Sequence, residues 1–524
     1  MKRSLLSIFV GAGLLAAGSP AAAQTFPTDD PIIKQIWEEG MNNSQTYPLA
    51  QVLMDSIGPR LTGSPGQQAA HDWAVAKYES WGIPARNEQW GTWLGWRRGI
   101  THIDLKEPWV RTLEGTMLAW SPGTNGPVEA DVVVLPEFED EAAFRAWLPQ
   151  VRGKFVLVSV PQITCRPDAT WQEFATQESF EKLQADRRAA QRAWSQRIAA
   201  TGSTVRDLPV VLEEAGAAGI LTSYWSEGYG VSKIFNARTR KVPTLDLSCE
   251  DYGLLFRLAD NDQSPKIRVE AEAEYLGDQP VFNTIAEIRG TEKPDEYVVL
   301  SAHFDSWDGA TGATDNGTGT VTMMEAMRIL KKVLPNPKRT ILVGHWSGEE
   351  QGLNGSRAFA QDHPEIVEGL QALFNQDNGT GRIVNISMQG FTEAGAHFGR
   401  WLSQIPTEIT QHIELSLPGV PSSGGTDHAS FVCYGAPAFN LSALHWEYRI
   451  YTWHTNRDTF DKIVFDDLKN NATLTAMLAY LASEDPERVS TVQRDMPINP
   501  RTGTKASWPN CPEPVRSSAD SPRM

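Results

Sequence analysis

Tyr297-Val298-Val299-Leu300-Ser301-Ala302-His303-Phe304-Asp305 is the stretch that decides the fold. Tyr297–Ser301 is a short apolar run of strand type, and it delivers two polar, chemically capable side chains just beyond its end. Downstream, Val321–Leu334 places Met323, Met324, Met327, Leu330 and Leu334 at helical spacing, and Pro335 closes the helix. Thr340–Gly344 reads as the next strand and Gly352–His363 as the next helix; Leu370–Asn375 and Ala436–Leu441 are further buried runs. Strands alternating with helices predict an α/β fold, with a mostly parallel central sheet flanked by helices. In such sheets ligands bind beyond the carboxyl ends of the strands.

Five segments are expected. Residues 1–23 read as a signal peptide: Lys2 and Arg3 precede an apolar stretch, and Ala21-Ala22-Ala23 forms a small-residue cleavage site. Residues 24–109 form the N-terminal part of the main domain, mostly helical to about 105, with Trp-rich loops near the end. Within it, a loop at Ile57–Ser64 leads into an amphipathic helix at Gln67–Trp81. Residues 110–275 have a β-rich texture, with strand-like runs at Ala130–Leu135, Lys154–Val160 and Gly219–Leu221. A charged helical stretch at 172–200 and a helix at Leu212–Ala218 interrupt it. Residues 276–490 carry the α/β pattern, and 491–524 form a tail without apolar periodicity, expected to be loosely ordered.

Composition narrows the function classes. The 524-residue chain carries a net charge of −17 with no Lys/Arg block, so nucleic acid is not an expected partner. No apolar run after the first segment is long enough for a stable membrane span. Export to the periplasm or the exterior is therefore expected. That compartment permits disulfides among Cys165, Cys249, Cys433 and Cys511, whose pairing the spacing leaves open.

The chemistry sits just after the strands. In His303-Phe304-Asp305 the two polar residues face one side of an extended segment, so Asp305 can orient an imidazole that binds metal. Asp315 lies in the glycine-rich Gly309–Gly319, which lets the backbone turn sharply and approach a site closely. Neither Gly-Lys-Ser/Thr nor Gly-x-Gly-x-x-Gly is present there, so a phosphate loop is rejected. Glu349-Glu350, at the end of the segment Ile341–Gly348, leaves the strand pointing two ways: one carboxylate can take metal, the other face a reacting water. Asp377 follows Leu370–Asn375; Asp427-His428 and His454 lie in later polar loops. His345 reads as structural. No Gly-x-Ser-x-Gly or His-Glu-x-x-His motif occurs, which disfavours serine hydrolases and single-zinc helix-borne peptidases.

The order His-x-Asp, Gly-Ala-x-Asp-Asn-Gly, Glu-Glu, Asp, Asp-His-x-x-Phe, His-Thr-x-x-Asp-Thr resembles the co-catalytic di-zinc exopeptidases of the aminopeptidase Y and plasma glutamate carboxypeptidase type. The resemblance covers about 278–485. The 110–275 segment resembles an inserted protease-associated domain. The resemblance implies two Zn²⁺ per chain, with His303 and Asp377 on one, Glu350 and His454 on the other, and Asp315 bridging. Imidazole and carboxylate donors suit zinc, and a bridging carboxylate holds two cations roughly 4 Å apart. It also implies that Glu349 is the general base, that Asp305 orients His303, that Asp427-His428 shapes the substrate side, and that the Asp315–Asn316 peptide is cis. The expected substrate is a peptide cleaved near a free N-terminus, by an aminopeptidase or dipeptidase. A carboxypeptidase, for which Arg382, Arg449 or Arg457 would supply the cation, and a non-peptidase relative such as a glutaminyl cyclase are the alternatives. Oligomeric state is not specified.

Overall fold

Lys293–His303 lies between two parallel partners in a mixed sheet of the computed structural model, which describes residues 26–498, 501 and 503–521. The strands preceding it are β1 (Ala85–Glu107), β2 (Arg111–Thr112), β3 (Gly115–Met117), β4 (Val128–Val134), β5 (Phe155–Leu157), β6 (Gly219–Thr222), β7 (Thr244–Leu247) and β8 (Lys266–Ile288). It is itself β9, followed by β10 (Arg339–Trp346), β11 (Leu370–Asn375), β12 (Ile383–Ser387), β13 (Glu414–Ser416) and β14 (Ala438–Ala443). Their order is β13-β12-β14-β11-β9-β10-β8-β4-β5-β6-β7-β3, with β1 paired to β8 and β2 to β1.

Strands β10, β9, β11 and β14 are mutually parallel, as the alternating pattern predicts, and β8 and β12 border them antiparallel. Successive residues of β9 face opposite sides of the sheet. Val298, Leu300 and Ala302 pack into one core with Val321, Met324 and Met477 from the helices Thr318–Val333 and Phe465–Glu484. Tyr297 and Val299 pack into another with Trp346, Phe359 and Phe431. Packing on both faces makes its central run, Tyr297–Leu300, apolar.

Three expectations are corrected. The region to residue 105 is helical only through Pro65–Ser80, and Trp90, Trp93 and Trp96 lie on β1 rather than in loops. β1 pairs antiparallel with β8 along its whole 23-residue length. Bulges between Gln89 and Gly91, Gly95 and Trp96, and Arg98 and Thr101 break its two-residue alternation, which hides the strand in the sequence. The 110–275 segment holds more helix than strand. Its strands β4 to β7 form a short parallel row, covered by Glu141–Trp147, Gln177–Ala200, Leu208–Glu214 and Cys249–Asp260. The charged helix is split, into Asp168–Phe174 and the 24-residue Gln177–Ala200. The tail, finally, is strapped down. Cys511 is bonded to Cys433, Trp508 donates to the Val432 carbonyl at 2.7 Å, and the Arg516 carbonyl accepts from Thr92 N–H at 2.8 Å. The second disulfide joins Cys165 to Cys249.

The signal-peptide segment 1–23 lies outside the described residues. Among those described, no helix is long and apolar enough to cross a membrane.

Candidate active site

The four parallel strands point their carboxyl ends at one cleft. β9 ends on His303; β10 ends on Trp346, three residues before Glu349; β11 ends two residues before Asp377; and the chain leaving β14 reaches His454. Asp315 arrives on the turn Ala313–Gly317, whose Asp315–Asn316 peptide is cis, as expected. Gly312 begins that turn at φ 59°, and a Cβ there would strike the Ser306 side chain.

All five expected ligand positions meet. His303 Nε2 lies 3.2 Å from Asp377 Oδ1 and 3.3 Å from Asp315 Oδ1. His454 Nε2 lies 2.9 Å from Glu350 Oε2 and 3.4 Å from Asp315 Oδ2. The result is two triads, His303/Asp315/Asp377 and Asp315/Glu350/His454, each with its donor atoms within 4.8 Å of one another and each using one oxygen of Asp315. Glu349 belongs to neither, and its carboxylate lines the adjoining cavity. Burial, with Asp377, Asp427 and Glu350 nearby, pushes Glu349 well above the usual carboxylate range. Burial and Asp315 do the same to Glu350. Burial opposes charge on His303, but Asp377 and Glu349 raise it well above its ordinary value. His454 is held neutral, lowered by burial to about 4. Burying this many carboxylates together is costly unless cations compensate. The donor set, two imidazoles and three carboxylates in two triads, fits divalent metal.

Asp305 works differently from the simple expectation. His303 Nδ1 is 3.0 Å from the Asp305 main-chain carbonyl and 3.6 Å from its carboxylate, so the backbone oxygen is the closer partner. The carboxylate, fully buried, instead accepts from the main-chain N–H groups of Glu349 and Glu350 and from the Thr62 hydroxyl, each at 3.2 Å. It orients the Glu-Glu pair by its amides.

Several positioning residues were not legible as such. Arg60, fully buried, donates to the carbonyls of Gly58, Phe304, Thr311 and Gly312 and so ties the Ile57–Ser64 loop to both the His303 and the Asp315 segments. Asp458 accepts from Thr314 N–H and hydroxyl at 2.8 Å and from Asp315 N–H at 3.0 Å; burial and Asp315 push its carboxyl up to about 7. Trp307 Nε1 donates to Glu350 Oε2 at 2.7 Å. Its neighbour Asp308 is held by a two-pronged ion pair from Arg98. Asp458 is the aspartate of the His-Thr-x-x-Asp-Thr motif, whereas the sequence signal for the others is proximity to a motif.

His345 is structural: it is buried, bonded to Tyr78 Oη at 2.7 Å, and lowered by burial to about 3. Asp427 and His428 are buried, and their neighbours Ser423, Gly424 and Gly425 line the cavity. That cavity measures about 600 Å³ and is walled by Asp315, Glu349, Glu350, Asp377, Tyr448 and His454, with Arg357 and Arg449 on its lining. Arg382 approaches Asp467, and Arg457 pairs with Glu114 and the Gly230 carbonyl.

Residues 283–479, the segment holding every one of these donors, match the model of peptidase family M28. Over this segment the chain is similar to peptidase family M28. Mouse carboxypeptidase Q is 26% identical over 505 residues, covering 93% of this chain and 99% of that protein. Human carboxypeptidase Q is 26% identical, covering 86% and 87%. Among solved structures, a peptidase M28 precursor from Shewanella amazonensis SB2B superposes with a TM-score of 0.64 at 25% identity, covering 87% of this chain and 97% of that one. A zinc aminopeptidase from Bacillus subtilis shares the fold at a TM-score of 0.55 and 18% identity, covering 86% and 97%.

Proposed function

We propose that this metallo-exopeptidase hydrolyses the peptide bond next to a free N-terminus, using two zinc ions and Glu349 as general base. The observation that carries this reading is the pair of triads sharing Asp315, with Glu349 beside them on the cavity wall. His303 and Asp377 would hold one ion, Glu350 and His454 the other, and Asp315 both. When bound, the ions supply Lewis acidity for the scissile carbonyl and lower the pKa of water. Glu349 accepts the proton of the attacking water on its carboxylate and returns it to the leaving amine. Asp305 keeps Glu349 and Glu350 on diverging paths through their amides. The donor chemistry supports zinc as the metal, and the Bacillus subtilis neighbour is itself a zinc aminopeptidase.

A free α-amine at the cut end can coordinate a zinc ion as a neutral nitrogen donor, which favours the N-terminal reading. Carboxypeptidase is the second reading, favoured by the names of the mouse and human relatives and by Arg449 and Arg357 on the cavity wall. Acetylating the amine of a good substrate is expected to abolish cleavage, and amidating its carboxylate to be tolerated. Rapid C-terminal release from N-acetylated peptides would select the second reading instead.

In the same proposal, residues 1–23 direct export and are removed. Residues 110–275 are a protease-associated insert between 24–109 and the main peptidase part, 276–490. The two disulfides support an oxidising compartment.

A further inference from the structure

A second cavity, about 570 Å³, opens on the other side of the Glu350–His454 pair, and these two residues line both cavities. Its walls come mainly from the 110–275 segment. Leu118, Trp120 and Phe235 from that segment, with Trp307 from the loop after β9, give it an apolar, aromatic lining. Trp120 and Phe235 each meet Trp307 edge to face, with ring centroids 6.0 and 5.8 Å apart, and Phe235 meets His454 at 5.1 Å. Arg206 and Arg238 complete the lining.

The two cavities differ in what they attract. The first is walled by residues of both triads and by Glu349, so a free amine there reaches the metal positions and the base. Each cavity carries two guanidinium groups, but the second touches only Glu350 and His454 of the donor set and is otherwise lined mainly by apolar and aromatic side chains. A residue whose nitrogen is still in the scissile amide has no free amine to place there. We propose that this second cavity receives the apolar side chain of the residue on the leaving side of the scissile bond, so that the 110–275 segment sets specificity for that residue. Aromatic and branched aliphatic leaving residues fit the lining, and lysine or arginine is rejected by Arg206 and Arg238. The proposal rests on the peptidase reading.

The test compares Leu-Phe, Leu-Gly and Leu-Lys as substrates of the full-length metal-loaded protein, alongside Val205→Trp. Val205 is an exposed rim residue of this cavity, and tryptophan there would obstruct it. Wild type is expected to cleave Leu-Phe with a kcat/KM at least about tenfold above Leu-Gly and Leu-Lys, within the range that one apolar pocket discriminates. Val205→Trp is expected to lower the Leu-Phe to Leu-Gly ratio about tenfold. Equal rates on the wild type, or an equal loss on both peptides in the variant, would overturn the proposal. Calorimetric titration with N-acetyl-L-phenylalanine, which has no ammonium group, reads the cavity without turnover of a peptide. Binding to wild type that Val205→Trp weakens, in a protein that cleaves nothing, would uphold the cavity and defeat the peptidase reading; equal binding to both would overturn the cavity.

Discussion

The two triads share a carboxylate but are built on different foundations. His303 and Asp377 sit at or just past the ends of adjacent parallel strands, β9 and β11, and His303 is 1% exposed. His454 stands on a loop eleven residues beyond β14, at φ 57°, and is more open. That loop is gripped from outside. Ile234 N–H donates to the His454 carbonyl at 2.8 Å, Asn456 N–H to the Ser232 carbonyl and Ser232 N–H to Asn456 Oδ1, both at 3.0 Å, and Lys233 Nζ to the Trp453 carbonyl at 3.0 Å. The donors and acceptors at 232–234 all belong to the 110–275 segment. One triad is a property of the sheet, whereas the other is assembled by a separate part of the chain. The second ion should therefore be the more easily lost.

The largest effect expected is from Asp315→Ala, which removes the shared carboxylate. Metal content should fall at both positions and activity should vanish, whereas His303→Ala and His454→Ala should each deplete a different ion. A mutant that kept one full equivalent after loss of Asp315 would show that the triads are independent. Next comes Glu349→Gln. The amide is nearly isosteric but cannot accept a proton, so kcat should fall about 10²- to 10⁴-fold with metal content unchanged. Metal loss in that variant would place Glu349 among the ligands.

Asn456→Ala sharpens the comparison directly. It removes the side-chain half of the grip on the His454 loop, and the loss of such an outer partner typically costs about tenfold or more in metal affinity. A chelator titration should show the weaker ion released earlier and the tighter one unmoved. Equal release of both would put the two triads on one footing.

The smallest effect lies away from both triads. His363 Nε2 is 2.6 Å from Glu88 Oε1, and that hydrogen bond, opposed by burial, raises the histidine above its ordinary value. Burial would raise Glu88, but His363 and Arg86 bring it below its ordinary value. The histidine's contribution is complete below its unfolded value near 6.5 and is lost as pH rises through the higher folded one. The glutamate's is complete above its unfolded value and is lost as pH falls through the depressed folded one. His363→Gln should thus flatten the decline in unfolding stability above neutral pH, by under about 1 kcal/mol for this partly exposed pair. Metal affinity should not change.

The same contrast explains what the sequence made legible. β9, β10 and β11 are buried on both faces at their centres, so they appear as short, largely apolar runs; His303 closes β9, and Glu349, Glu350 and Asp377 follow β10 and β11 at short spacing. β1 carries bulges and exposed arginines, so no period survived to mark it. The tail has no periodicity because a disulfide and main-chain hydrogen bonds hold it rather than an apolar face. Arg60 and Asp458 act on backbone atoms, Arg60 on groups more than 240 residues away, and their partners become visible only in three dimensions. The insert's hold on His454 was illegible for the same reason.

The central claim is that one carboxylate joins two unequal metal positions. Elemental analysis of gently purified protein, repeated along a chelator titration with activity followed in parallel, tests it most directly. The account predicts about two zinc ions per chain, released in two steps. Full activity with a stable content of one ion per chain would contradict it.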